Sequence, residues 1–371
     1  MDPVRLMAMA RKEWIQLRRD PRSMILAFVL PLFLILFFGY AITWDVDDIR
    51  LAVLDQDRSR ESLRLVEAFE ASGYFSVQER LRAYPEAEDR LASGSVLAVL
   101  VIPPRFQQDL TAGRAAPLQL LLDGSDANTA TIALNYADAI VARRSAQVLL
   151  QGRELRLPLR PETRVWYNPT LESRNMIVPG LVAVIMSIIA AMLTALTIAR
   201  EWERGTMEQL ASTPVGRVEV VVGKLLPYLL IGLFDVAVVT VAGMVFFGTP
   251  LEGSVPLLTV MTLLFLVGAL GVGIFISAVV KSQVLATQVA MILTYLPALL
   301  LSGFLFDIHS MPAVLQAFTF LVPARYYITV TRGIFLKGVG VAALWPEALF
   351  MVAFAVLGLG AATLVFRKEL E

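Results

Sequence analysis

The residues able to do chemistry gather in three places. The densest is the stretch from Arg200 to Lys224, where Glu201, Glu203, Arg204, Glu208, Arg217 and Glu219 stand between two long apolar runs. The second is Asp235, a charge in the middle of an apolar run, and the third is His309, the single histidine. One histidine and no cysteine leave no material for a histidine-rich metal site, a cysteine zinc site or a thiol nucleophile, and little for a Ser-His-Asp triad. No G-x-x-x-x-G-K-[ST] occurs, because Gly223-Lys224 lacks both the earlier glycine and the following hydroxyl. Any nucleotide energy must come from a partner. G-x-S-x-G, H-E-x-x-H and a dinucleotide fingerprint are absent as well. The chain does not read as an enzyme.

Local chemistry in Arg200 to Lys224 specifies a short helix. Gly205 breaks the preceding helix, Thr206 and Gln209 have the spacing of a capping box, and Pro214 pushes its predecessor out of the helical region. The spacing predicts a helix over 207–212, with Glu208 outward and Met207, Leu210 and Ala211 along an apolar side. An element of this kind fits a groove on another protein.

The elements that must position these groups are membrane spans. Of 371 residues, 57% are hydrophobic and 17% charged, with mean hydropathy +0.68, a composition of membrane proteins. Net charge is zero, so no global basic field points to nucleic acid. Six apolar runs are each long enough to cross ~30 Å of hydrocarbon: 24–42, 176–198, 225–247, 257–280, 284–306 and 344–366. The first is read as an uncleaved span, since Tyr40-Ala41-Ile42-Thr43 offers no cleavage site. Gly268, Gly271 and Gly273 inside the fourth run permit close helix packing. Asp235, about 16 Å along a helix from Lys224, falls near mid-membrane, where an ionisable group faces a partner or a cavity. It is a candidate for the transport pathway, with hydrogen bonding to Thr194 or Gln288 as the plainer expectation.

Ahead of the first run, residues 1–23 carry Leu6, Ala10, Trp14 and Leu17 at helical spacing among Arg5, Arg11, Lys12, Arg18 and Arg19. This predicts an amphipathic helix in the lipid interface. Residues 43–174 have the composition of a soluble α/β domain. Strands are expected at 50–54, 74–77, 96–102 and 118–122, and helices through Leu63 to Phe69, at 85–91, after Pro103 and over 129–150; strand order is not readable. Residues 307–343 are too polar to span and too apolar for a free loop, which predicts interfacial or re-entrant helices. Positive charge sets orientation: with both termini cytoplasmic, the inner segments hold thirteen basic residues and the short outer ones only Arg325, Arg332 and Lys337. The 43–174 domain then lies outside the cytoplasmic membrane.

Glu201 to Lys224, read as E-x-E-R-G-T-M-E-Q-L-x-x-T-P-V with G-K-x-x-P after it, resembles the signature of ABC-2-type transporter permeases. Lys12-Glu13 with Arg19-Asp20-Pro21 agrees, as do Leu301-Ser-Gly-Phe304, Ser310-Met-Pro312, Pro323, Arg332-Gly-Ile334 and Lys337-Gly338; Asp307 departs from the proline expected there. The match covers the chain outside 43–174, and the position of that domain is similar to exporters that work with a periplasmic adaptor. The resemblance implies a polytopic α-helical fold and a half-transporter of a bacterial inner membrane. It implies pairing with a second permease copy or a sister. It also implies a separate ABC ATPase subunit that binds ATP and magnesium, this chain holding no cofactor. The ATPase-coupling residues it implies are Glu201, Glu203, Arg204, Gly205, Thr206, Glu208 and Pro214, in a coupling helix at about 200–216. The alternative is a membrane receptor whose α/β domain binds a ligand; it expects a signalling domain that Arg367 to Glu371 is too short to hold.

Overall fold

The computed structural model describes residues 2–42, 48–125, 127–149, 166–169 and 172–366. The expected domain edge at Thr43, the end of the long helix at Leu150 and the basic pair Arg367 and Lys368 lie outside them. The chain divides into two units, one of residues 1–43 with 164–371 and one of 44–163.

In chain order the helical unit opens with α1 (Pro3–Arg18), capped by the Asp2 carboxylate on the Val4 amide. A turn at Pro21–Met24 leads into α2 (Ile25–Ala41), whose first five residues are π-helical.

The 44–163 unit alternates β1 (Ile49–Asp55), α3 (Arg60–Glu70), β2 (Phe75–Arg80), α4 (Tyr84–Ala92), β3 (Ala98–Ile102), α5 (Phe106–Thr111), β4 (Gln119–Leu122) and α6 (Ala127–Leu149). The sheet order is β2-β1-β3-β4; β1 runs parallel to both neighbours and β4 antiparallel to β3. β1 and β3 are apolar at successive positions because both faces are covered. Leu51, Val53, Leu100 and Ile102 pack with Leu65, Phe69, Phe75 and Phe106. Ala52, Leu54, Val99 and Val101 pack on the opposite face with Leu81 and Ala87. Pro103 does not open α5 as expected. The chain turns first, with Arg105 in the left-handed region as N-cap, and the Asp57 carboxylate accepts the Gln107 amide at 3.0 Å.

The helical unit resumes with α7 (Ser173–Glu203), α8 (Met207–Ala211), α9 (Arg217–Phe247), α10 (Val255–Val280), α11 (Gln283–Leu300), α12 (Ala313–Thr319), α13 (Pro323–Lys337) and α14 (Trp345–Val365). Five of these, α7, α9, α10, α11 and α14, are long and apolar enough to cross a membrane, and up to six if α12 and α13, bent by 76°, count as one. The α12–α13 pair occupies the segment expected to be interfacial or re-entrant. The expected span 284–306 is shorter than predicted, because the helix ends at Leu300 and the chain bends through Gly303 at φ +80°.

α7 is the central post, 89% of its most apolar stretch being buried, against 17% for α11 and 22% for α14. Apolar flanks such as Ile292, Leu293, Val356 and Leu357 therefore face outward, which water would not tolerate on this scale and lipid or a second subunit would. Glycine lets the helices approach. A Cβ on Gly271 would lie 2.6 Å from the Gly358 carbonyl carbon, and one on Gly273 would lie 2.6 Å from the Ala191 oxygen. The Ser277 hydroxyl of α10 accepts the Ile198 and Ala199 amides at 3.0 and 2.8 Å, which pins α10 to α7 within one turn of Glu201.

Candidate functional site in the Arg200 to Lys224 turn

α7 ends because Gly205 adopts φ +66°, a conformation that costs glycine nothing. The Gly205 amide then bonds the Trp202 carbonyl at 3.1 Å and the Thr206 amide the Glu201 carbonyl at 3.0 Å, which satisfies two of the helix's last acceptors. α8 follows over five residues, one shorter than predicted. The predicted capping box does not form. Thr206 has helical backbone angles and its hydroxyl makes no cap bond; it donates to the Glu201 carboxylate in a very short bond. An N-cap needs an extended backbone that lets its oxygen accept the amide of the first turn, and Thr206 lacks it. Met207 and Leu210 are buried against this chain itself, while Arg204, Glu208, Gln209, Ser212 and Pro214 are exposed.

Beneath the turn lies a cluster of charges that binds α1 to both flanking helices. Lys224 on α9, 1% exposed, stands between Glu13 at 2.9 Å and Glu201 at 3.3 Å. Glu201 also accepts from Lys12 at 2.7 Å, and Glu13 accepts from the Tyr228 hydroxyl at 2.9 Å. Two carboxylates meet two ammonium groups, so the cluster is neutral, the condition under which charges tolerate burial. One residue before Glu201, Arg200 pairs with Asp20 at 2.6 Å and donates to Ser23 at 3.2 Å. At the edge, Arg5 donates to the Pro214 carbonyl at 2.8 Å and Glu219 accepts the Asp2 amide at 2.7 Å. Glu203 reaches the other way, accepting the Gln283 amide at 2.7 Å, and Lys281 lies 4.3 Å from the centroid of the Trp202 ring.

The amphipathic stripe of α1 is thus split. Ala10 and Leu17 are buried with Met9 and Glu13, while Trp14 is 44% exposed beside Met7 and Ile15. α1 docks on α9 so closely that a Cβ on Gly223 would sit 2.6 Å from the Met9 Cβ. Glu13, Arg200, Lys224 and Tyr228 were not site candidates in the sequence. One signal was available: Glu13 falls three residues after Ala10 and four before Leu17, a charge on an otherwise apolar face.

The other candidates stand apart. Asp235 is 2% exposed and its Oδ2 is buried with no hydrogen-bond partner among the described residues. The expected bond from Thr194 is not made, since that hydroxyl donates to its own helix at the Ala190 carbonyl, 2.9 Å away. His309 is exposed in a single turn of 3-10 helix. Among the described residues no group of three or more His, Cys, Asp or Glu is placed to hold a metal. At the turn a small exposed polar cap sits on a base locked by buried ions.

Residues 21–364 match the pattern of ABC-2 family transporter proteins. The chain belongs to the ABC-2 transporter family. It is 36% identical over 371 residues to an Escherichia coli K12 protein named "Probable multidrug ABC transporter permease YbhS", covering 99% of this chain and 98% of that one. It is 30% identical over 365 residues to the similarly named YbhR of the same organism, covering 98% of this chain and 99% of the relative. Against the linearmycin resistance permease LnrN of Bacillus subtilis identity is 22% over 363 residues. This chain is accordingly a membrane-spanning permease of an ABC exporter in a bacterial inner membrane. The family implies an ATPase partner and a paired permease, and ATP hydrolysis belongs to that separate subunit.

Proposed function

We propose that this permease exports a drug-like or amphipathic substrate, driven by an ATPase seated on the exposed cap of the Arg200 to Lys224 turn. The observation that carries the proposal is the contrast within the turn: Arg204, Glu208 and Gln209 are exposed while Glu201 and Lys224 are locked inside. A partner would grip the exposed set. Glu201, Thr206 and Gly205 would act indirectly, by keeping the cap stiff, and Glu203 would pass displacement to α11 through Gln283. Six spans, α2 with the five long apolar helices, support cytoplasmic termini together with the basic bias; Pro21–Met24 and α2 form 21 continuous helical residues, about 31 Å at 1.5 Å per residue. In that orientation the 44–163 unit lies outside and would meet a periplasmic adaptor. The names of the E. coli relatives support a drug cargo, and Asp235 is the pathway's candidate charge.

The test is co-purification of the co-expressed ATPase with wild-type permease and with an Arg204→Glu, Glu208→Lys double variant. The proposal expects the variant to fold, to be inserted, and to lose the ATPase. Undiminished ATPase capture with full transport would remove the exposed cap from the account.

A further inference from the structure

At the end of the helical unit where α7 begins, opposite the Arg200 to Lys224 turn, a cavity of about 730 Å³ opens between α7, the bend after α11, α13 and the start of α14. Most of the charged groups lining it are already engaged. Arg325 donates to the Thr319 hydroxyl and lies 4.1 Å from the Phe320 ring centroid. Lys337 lies 5.8 Å from the Tyr167 ring centroid, and the Asp307 carboxylate accepts the His309 amide at 3.3 Å.

Two lining groups of opposite charge are not satisfied. Arg332 gives Nε to the Met176 carbonyl and Nη1 to the Gly303 carbonyl, both at 3.3 Å, while its Nη2 is buried with no partner among the described residues. Glu347, in the first turn of α14, has its Oε2 buried with no partner among the described residues. A buried guanidinium N–H and a buried carboxylate oxygen are each costly to leave unpaired, and both line this one cavity. Arg332 is also held in place. The neighbouring Thr331 hydroxyl donates to the Pro179 carbonyl inside α7 at 2.9 Å, and Nη2 packs close to Gly180, where a Cβ would lie 3.3 Å away. Ile328, Leu336, Val339 and Leu344 give the wall an apolar part, beside the polar Ser302, His309, Gln316 and Thr329.

We propose that this cavity binds the headgroup of a zwitterionic amphiphile, its phosphate on Arg332 and its primary ammonium on Glu347, with the first carbons of its chains on the apolar wall. A lone anion would leave Glu347 unpaired and a lone cation would leave Arg332 unpaired. A zwitterion satisfies both and leaves the charge of the site unchanged. The ammonium must carry N–H groups, because the Glu347 oxygen lacks a donor and a quaternary ammonium supplies none. This site goes beyond the export reading and stands without it, since binding is measured in the absence of any ATPase or transport.

The experiment titrates the purified full-length permease in a maltoside detergent with dihexanoyl phosphatidylethanolamine. The comparators are the dihexanoyl phosphatidylglycerol and phosphatidylcholine forms and free phosphoethanolamine, with binding read by calorimetry. The ethanolamine lipid is expected to bind about tenfold more tightly than either other lipid, and Arg332→Gln and Glu347→Gln each to lose about tenfold, the scale of one charge-assisted hydrogen bond. Glu347→Gln should also abolish the preference over phosphatidylglycerol. Arg325→Gln, in the same cavity but already partnered, should stay within about twofold of wild type. Arg332→Lys keeps the charge and stands in if Arg332→Gln fails to fold, retaining the preference for ethanolamine. Equal affinity for free phosphoethanolamine supports the headgroup site and assigns it to a soluble ligand; weaker affinity assigns it to lipid. Equal binding of all three lipids, or an unchanged ethanolamine affinity in Glu347→Gln, overturns the proposal.

Discussion

Lys224→Met tests whether the ions under the turn hold it together. Lys224 is 1% exposed and serves Glu13 and Glu201 at once. After the substitution Glu201 still has Lys12 at 2.7 Å and the Thr206 hydroxyl. Glu13, 1% exposed, would keep only the Tyr228 hydroxyl. It becomes a buried charge without a counterion, and breaking such a pair costs about 3–5 kcal/mol, roughly two to four orders of magnitude in the folding equilibrium. Glu13→Gln alone leaves Lys224 with Glu201 and should cost less. The double variant removes the orphan, so most of the Lys224→Met loss should be recovered, a coupling of about 2–3 kcal/mol. Reversible unfolding in mixed micelles, followed by tryptophan fluorescence, measures all four species; Trp202, stacked under Lys281, reports from beside the cluster. A Lys224→Met protein as stable as wild type, or a double variant whose losses simply add, would refute the reasoning.

Three further outcomes follow from single residues. Gly205→Ala meets no steric obstacle, yet φ +66° strains any other L-residue; a loss of about 1–2 kcal/mol in the same unfolding assay is expected. Asp235→Asn keeps the side-chain volume and removes the charge; export should fall several-fold at normal expression, and unchanged efflux would take Asp235 out of the pathway. In the sheet-bearing unit, burial would raise the pKa of Asp57, but hydrogen bonds from Ser59 and from the Gln107, Arg105 and Phe106 amides outweigh it and hold the carboxyl below its ordinary 3.8. A lowered folded-state pKa contributes stability at neutral pH that is lost as pH falls below that ordinary value. Protection of the amides at the start of α5, measured as exchange relative to the intrinsic rate at each pH, should therefore fall in acid, and Asp57→Asn should flatten that dependence.

What the sequence made legible was whatever depends on near neighbours. Apolar runs marked the long helices, and the continuous apolar stretch ending at Ile102 marked a strand covered on both faces. Gly268, Gly271 and Gly273 announced close helix contacts, though not that Gly358 would be on the other side. The position of the turn was legible, because a glycine and a proline bound it. Its cap differs: Thr206-x-x-Gln209 has the spacing of a capping box, but the Thr206 backbone is helical and its hydroxyl donates to a carboxylate five residues earlier. The ion cluster was the least accessible feature. Glu13 and Lys224 are 211 residues apart, and only the packing of α1 across Gly223 brings them together. For the same reason the interfacial reading of α1 caught its helix and missed that half of its stripe is already buried.

The central claim is that the exposed cap of the turn meets a separate ATPase, and the absence of cysteine from the chain makes this directly measurable. Glu208→Cys gives the permease a single thiol on the cap, and Val314→Cys, 68% exposed on α12, gives one elsewhere. With the ATPase co-expressed, a short bifunctional thiol–amine crosslinker should join it to the Glu208→Cys protein and not to the Val314→Cys protein. A crosslink only from position 314, or labelling of position 208 by a membrane-impermeant thiol reagent added to intact cells, would contradict the account.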